Sequence, residues 1–243
     1  TYVVNSHAHN DHIRGNQVFH PNSIIISTNN IREQIKKDEP ERIKYEKEHA
    51  PDRLSEIKAG FEATTNETKR KEYMMWIGYY EGMIRSHSEL VTTLPDVTFE
   101  DSLVFNGSER TALLLAFSNA HTDEDIVLYL PKERIIFTGD LVFNKMHPYL
   151  PDGDPEGLKK SLNDLLKRQI DIVVPGHGNV GDSDEIITMI NYITMTDSLA
   201  HEIKEKNKPI EELDTIKIPE PYAPWYFPDF FTMNMKFMVK RLK

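Results

Sequence analysis

Short apolar stretches lie in two parts of the chain, which a long polar segment separates. Residues 1–4 (TYVV) and Ile24–Thr28 predict two short strands. The segment from Ile31 to Leu94 has no strand-like alternation and is predicted to be helical. From Asp96 onward, five closely spaced stretches joined by polar turns predict an antiparallel meander. These predicted strands are Val97–Glu100, Leu103–Asn106, Thr111–Phe117, Asp125–Leu130 and Arg134–Thr138.

The remaining pattern combines helices with one more strand. It predicts an amphipathic helix at Pro155–Arg168, a buried strand at Asp171–Val174, a helix at Asp184–Lys206 and a last helix at Thr232–Leu242. We therefore expect a single α/β domain over residues 1–243. Its core would comprise residues 1–30 and 95–206, with a helical insertion at 31–94 and an aromatic tail and helix at 207–243. We expect the tail to pack against its own domain, and a homodimer contact is the alternative.

Apolar residues recur at helical spacing within the insertion. They are Tyr73, Trp76, Ile77, Tyr80, Met83 and Ile84. This stripe predicts a helix that packs against another part of the protein. The alternative is a lid that offers Trp76 or Tyr80 to a substrate, because long insertions in compact domains are often functional.

The composition excludes several classes of function. The 243 residues include 29 basic and 39 acidic residues, a net charge of −10, which disfavours a nucleic-acid partner. There is no cysteine, so disulfides, zinc-thiolate sites and cysteine nucleophiles are excluded. We expect no membrane-spanning segment, because no run of 18 apolar residues occurs. The chain starts at Thr1, so an upstream segment could have been removed, and the compartment stays open.

Three histidines and an aspartate lie within six positions, as H-x-H-x-D-H at His7, His9, Asp11 and His12. Imidazole nitrogens and carboxylate oxygens are ligands that suit zinc, manganese or non-haem iron. One short loop cannot complete a metal site by itself. Three further candidates, His121, Asp140 and His177, each follow a predicted strand, and Gly139, Gly176 and Gly178 beside the last two allow tight turns.

These motifs, in this order, resemble those of the metallo-β-lactamase fold hydrolases. The matching runs are HAHNDH, AHTDED, TGD and PGHG, and the resemblance covers residues 1 to about 30 and 96 to about 181. It implies a four-layer αββα sandwich with the site at one rim of its two sheets. It also implies a dinuclear zinc hydrolase in which a hydroxide between the metals attacks a small-molecule substrate; iron and manganese are the alternative metals.

The resemblance also implies a role for each residue of these motifs. One zinc would be held by His7, His9 and His121, and the second by Asp11, His12 and His177. Asp140 would bridge the two metals. Asp11 would also act in catalysis, by orienting the hydroxide and passing a proton.

The aspartate at position 140 bears on the substrate. Family members that open β-lactams usually carry Cys or Ser there, whereas thioesterases, lactonases and many broad-specificity relatives carry Asp. We therefore expect an ester, thioester, lactone or amide substrate, and a true β-lactamase is the alternative. Four residues after the bridging aspartate are candidates for substrate binding: Asn144, Lys145, His147 and Tyr149.

The chain departs from the family pattern at its start. A set of strands normally precedes the H-x-H-x-D-H loop, whereas only residues 1–4 precede it here. We therefore expect a first sheet that lacks strands and has an unpaired edge. Three other functions stay open: a mononuclear iron enzyme acting on persulfides, a phosphodiesterase acting on RNA or DNA, and a non-catalytic scaffold that holds metal structurally.

Overall fold

The computed structural model describes residues 1–207 and 209–242. It divides into two compact units, Thr1–Thr98 and Phe99–Lys243, which are described separately. The prediction of one domain with an insertion stays a prediction. Among the described residues, no helix is both long and apolar enough to cross a membrane.

The first unit combines a small sheet with two long helices. Its elements are β1 (Tyr2–Val4), α1 (Asn10–Ile13), α2 (Asn16–Phe19), β2 (Ile24–Thr28), α3 (Asn29–Ala63), α4 (Glu67–Ser86) and β3 (Val97–Phe99). The sheet has the order β1-β2-β3, and β1 pairs with β2 in parallel. The prediction that placed Val97–Glu100 in the meander is wrong, because β3 lies in this sheet.

The two helices of the segment 31–94 pack against each other. Thr28 caps α3, since its hydroxyl accepts a hydrogen bond from the backbone of Ile31. Asn66 caps α4 in the same way, through Lys69. Near the connection, the guanidinium of Arg70 lies 3.8 Å from the ring centre of Phe61. The predicted helical segment is therefore a hairpin of two helices.

The second unit contains a five-stranded sheet and three α-helices. Its elements are β4 (Ser102–Asn106), β5 (Thr111–Ser118), β6 (Glu124–Leu130), β7 (Ile135–Phe143), α5 (Pro155–Leu165), β8 (Ile172–His177), α6 (Ser183–Glu205), a 3-10 helix (Ile210–Thr215) and α7 (Pro228–Arg241). The strand order is β4-β5-β6-β7-β8. The first four strands are antiparallel, as predicted, and β8 joins β7 in parallel.

Strand β7 is longer than the predicted Arg134–Thr138 and contains Asp140. Its pairing with β6 stops at Ile135–Phe137, whereas its pairing with β8 continues, with register shifts, to Phe143 and His177. The strand therefore extends beyond its antiparallel neighbour along β8. The prediction that Asp140 follows a strand is corrected accordingly: it lies within one.

The aromatic tail packs into the core of the second unit. Tyr222 and Trp225 are buried, and the Trp225 ring stacks on Tyr192 of α6 with ring centres 5.5 Å apart. Phe231 of α7 joins the same core. This arrangement agrees with the expected packing of the tail against its own part of the chain.

Candidate metal centre

The first unit presents the H-x-H-x-D-H motif on the loop after β1 and on α1. His7 is fully buried, and its ring centre lies 4.6 Å from that of His9 and 4.1 Å from that of His12. Asp11 is the exposed member, and its Oδ2 lies 3.4 Å from Nε2 of His12. The motif thus concentrates three imidazoles and one carboxylate in a small volume.

Polar side chains hold this loop in place. The Ser6 hydroxyl lies 3.1 Å from Nδ1 of His7 and 3.1 Å from Nδ1 of His12. Buried Asn5 donates to the backbone oxygen of His12 and exchanges hydrogen bonds with Asn16. The Ser6 hydroxyl is therefore within hydrogen-bonding distance of Nδ1 in both His7 and His12. These contacts orient the two rings so that each Nε2 atom points away from Ser6.

The second unit brings together His121, Asp140 and His177. The Oδ2 atom of Asp140 lies 3.5 Å from Nε2 of His121 and 3.4 Å from Nε2 of His177. His121 and Asp140 are buried, whereas the side chain of His177 is 38% exposed. One carboxylate oxygen therefore lies between two imidazole nitrogens.

His121 lies in the turn between β5 and β6. Two backbone hydrogen bonds close the turn: the N–H of Asn119 donates to the carbonyl oxygen of Asp123, and the N–H of Ala120 donates to that of Thr122. Buried Asp125 accepts hydrogen bonds from the backbone N–H (2.9 Å) and the hydroxyl of Thr122. This carboxylate therefore fixes the turn that carries His121.

Two glycines allow the backbone to approach the ligand residues. A Cβ on residue 153 would lie 2.2 Å from the carbonyl oxygen of Ala120 and 2.4 Å from that of His121. A Cβ on residue 176 would lie 1.9 Å from Oδ1 of Asp140. Both distances are far below van der Waals contact, so only glycine fits at either position.

The geometry of the second unit fits a metal site. Two ligand atoms that share a tetrahedral zinc at about 2.0–2.1 Å are separated by about 3.3–3.4 Å. The two Asp140–histidine separations agree with this value and exceed the roughly 2.7–2.9 Å typical of a charge-assisted hydrogen bond. The donor set of imidazoles and a carboxylate also suits zinc. The two separations are therefore compatible with a metal ion bound between Asp140 and either histidine.

The comparisons with known proteins agree with these features. The sequence profile described as "Metallo-beta-lactamase superfamily" matches residues 1–177. The chain belongs to the metallo-β-lactamase superfamily. Within this superfamily, it is 29% identical over 127 residues to "Metallo-beta-lactamase type 2" of Bacillus sp. (strain 170), a match that covers 45% of this chain and 48% of that protein. The chain thus spans about half the length of this curated relative.

Solved structures of metallo-β-lactamases show the same fold. A metallo-β-lactamase from Pontibacter korlensis matches with a TM-score of 0.54 and 17% identity, over 79% of this chain and 67% of that chain. The DIM-1 metallo-β-lactamase matches with a TM-score of 0.53 and 15% identity, over 79% of this chain and 68% of that chain. The predicted metallo-β-lactamase fold is therefore confirmed.

The predicted substrate-binding residues have different environments. His147 is completely buried among Tyr192, Trp225 and Phe231, so its predicted contact with substrate is not supported. Asn144 is also buried, and its amide donates to the backbone oxygen of Asn179. Lys145 is exposed and Tyr149 is partly exposed. A substrate contact by these two residues stays a prediction.

Sequence reasoning missed the residues that support the ligands. Ser6 and Gly153 are not typical metal ligands, so no motif singles them out, and Asp125 ends the AHTDED run without an assigned role. Ser6 precedes His7, and Asp125 lies four residues after His121, which was the only local signal. The closeness of Gly153 to His121 is a long-range contact that the sequence does not show.

Proposed function

We propose that this protein is a dinuclear zinc hydrolase that acts on a small-molecule ester, thioester, lactone or amide. One zinc would be held by His7, His9 and His121, and the second by Asp11, His12 and His177. Asp140 would contact both metals. Membership of the metallo-β-lactamase superfamily supports this ligand assignment, since the chain carries all seven residues in order.

The position of Asp140 is the observation that carries the proposal. Its Oδ2 lies at nearly equal distances from one histidine of each proposed ligand set, His121 and His177. A carboxylate shared between two cations fits that position, because one oxygen can contact both. The complete second ligand set, Asp11, His12 and His177, supports two ions rather than one.

Bound zinc would supply an activated water at neutral pH and a Lewis acid for the substrate carbonyl. The protein residues around it would have separate tasks. Asp11 is the exposed carboxylate of the motif, so its Oδ2 can accept a proton from the attacking water and deliver it to the leaving group. Ser6 keeps the rings of His7 and His12 in orientation.

Metal content and turnover of the full chain test this proposal. Protein purified without chelators would be analysed by plasma mass spectrometry and assayed against esters, thioesters, lactones and amides. We expect about two zinc ions per chain and hydrolysis of at least one substrate class. Asp140→Ala should lose both, whereas Asp171→Ala, which removes an exposed carboxylate of the same unit, should retain both.

Other outcomes would identify the alternatives. About one iron per chain and oxygen consumption with a persulfide would replace the hydrolase by an iron oxidoreductase. Metal without turnover of any substrate would favour a structural role for the metal. Binding of labelled RNA at low salt would contradict the expectation that the acidic chain avoids nucleic acid.

Opening of a β-lactam ring is the second candidate function. The names of the curated relative and of the solved structures favour it, since each of them is called a metallo-β-lactamase. A chromogenic cephalosporin in the substrate panel tests it directly. We expect slower turnover than for the best ester, thioester or lactone, because Asp140 occupies the position where the true β-lactamases usually carry Cys or Ser.

A further inference from the structure

The helical hairpin formed by α3 and α4 contacts the H-x-H-x-D-H loop within the first unit. The side-chain amide of Asn10 donates one hydrogen bond to the hydroxyl of Tyr79 (2.8 Å) and one to Oε1 of Glu46 (3.1 Å). Tyr79 belongs to α4 and Glu46 to α3. Both N–H groups of the amide are therefore used by the hairpin.

A second contact holds the other side of the same segment. Nη1 of Arg42 donates to the backbone oxygen of Ala8 at 3.0 Å. His9 lies between Ala8 and Asn10 in the chain, so both of its neighbours are bound by the hairpin. These contacts leave the peptide groups on either side of His9 little freedom to rotate.

A buried ion-pair network continues the contact along α3. Arg14 lies 2.7 Å from Glu39 and 2.6 Å from Glu46, and Glu39 is only 2% exposed. Glu39, Arg42 and Glu46 are spaced at i, i+3 and i+7, which places them on one face of the helix. That face therefore carries three polar groups, each of which binds the segment 8–14.

We propose that the α3–α4 hairpin positions the metal ligand His9, with Asn10 as the residue through which Tyr79 and Glu46 act. This inference rests on the proposed function, because it takes His9 to be a ligand of the proposed zinc. It gives the helical segment a role different from that of a lid. Outer residues that orient metal ligands typically contribute 10–100-fold to metal affinity, so the effect is measurable.

Two phenol-to-phenyl substitutions on α4 provide a matched pair. Tyr79→Phe removes the hydroxyl that accepts from Asn10 and leaves the ring in place. Tyr80→Phe removes the next hydroxyl along the helix. That hydroxyl interacts with the side chain of Arg53 of α3 through a hydrogen bond, and not with Asn10. Asn10→Ala removes both contacts of the amide, and Asn10→Ala combined with Tyr79→Phe completes a double-mutant cycle.

The first measurement is zinc affinity of the full chain, by competition with a chromophoric chelator. We expect Tyr79→Phe to bind zinc about 10-fold more weakly and Asn10→Ala at least as weakly, with Tyr80→Phe within about 2-fold of wild type. In the double variant, Tyr79→Phe should add little to Asn10→Ala, because it acts through Asn10. Fully additive losses would contradict this.

The second measurement is hydrogen exchange in chelator-treated protein, which needs no metal. The backbone amides of residues 8–12 should exchange faster than in wild type in Tyr79→Phe and Asn10→Ala. Their exchange rates should be unchanged in Tyr80→Phe. If wild type binds zinc and all variants match it in affinity and exchange, the positioning role is overturned while the metal centre stands. A wild-type chain that takes up no metal overturns both proposals.

Discussion

Residue 176 lies directly against the carboxylate of Asp140, so that a Cβ there would lie 1.9 Å from Oδ1. The same Cβ would lie 2.7 Å from the carbonyl carbon of Gly139. The parallel pairing of β7 with β8 creates this contact, since Gly139 pairs with Pro175. Gly176, the first glycine of the P-G-H-G motif, therefore leaves space for the proposed metal ligand Asp140 on the neighbouring strand.

Gly176→Ala should displace Asp140. We expect a loss of stability of about 1–3 kcal/mol from overpacking and a loss of bound metal. Thermal unfolding and metal content measure the two effects. Gly78→Ala is the control, because a Cβ at position 78 has no neighbour within 4 Å and lies on the helix α4. Wild-type metal content in Gly176→Ala would show that Asp140 is not needed in its present place.

Asp125→Ala should loosen the turn that carries His121. The substitution leaves the buried backbone N–H of Thr122 without its carboxylate acceptor, which costs about 1–3 kcal/mol. We expect a lower melting temperature and weaker metal binding. Asp123→Ala changes an exposed aspartate of the same turn and should have little effect on either. Equal behaviour of the two variants would mean that the Thr122–Asp125 contact does not support the turn.

Asp140→Asn tests the charge of the proposed bridging ligand while its shape is kept. Because an amide is a weaker ligand than a carboxylate, we expect metal affinity to fall by about 100-fold or more, at or above the upper end of the range for outer residues. Chelator competition measures this. Asn163→Asp, an exposed change of the opposite sign on α5, should leave affinity unchanged. Retention of two tightly bound ions by Asp140→Asn would contradict the bridging role.

His147 should make stability depend on pH. Burial lowers the pKa of His147 to about 4, against an ordinary value of 6.5. The unfolded chain therefore takes up a proton below pH 6.5 that the folded protein does not accept until about pH 4. Stability is fully present above pH 6.5 and decreases as the pH falls toward 4, by up to about 3 kcal/mol from this residue.

Unfolding in denaturant at several pH values tests this dependence. His147→Leu should weaken the decrease between pH 6.5 and 4. His201→Gln, a change at an exposed histidine of α6, should leave it as in wild type. An unchanged pH dependence in His147→Leu would show that His147 titrates alike in the folded and unfolded chains.

A hydrogen-bonded network holds the buried ring of His147 in place. Asn234 donates to the Tyr192 hydroxyl (3.2 Å), which can in turn donate to Nδ1 of His147 (3.0 Å). Asn234 also binds the backbone of Pro148 and Leu150. This buried network fixes the segment after β7 and gives His147 a structural role.

The family, the fold and the types of ligand residue could all be predicted from the amino-acid sequence. This was possible because the decisive signals are local: H-x-H-x-D-H occupies six consecutive positions, and His121 and His177 follow or end strands with clear apolar patterns. The strand boundaries were mostly predicted within a few residues for the same reason. The exception was β7, whose extension past Thr138 depends on its pairing with β8.

The polar residues that support the site, and those that are buried, became known only from contacts between distant segments of the fold. His147 follows the predicted bridging ligand closely in sequence, but Tyr192, Trp225 and Phe231 surround it from 45 or more residues away. Asn10 is an ordinary residue within the motif until Tyr79 reaches it from α4. A linear pattern records what each residue can do chemically, whereas burial and hydrogen-bond partners depend on contacts between distant segments that form only when the chain folds.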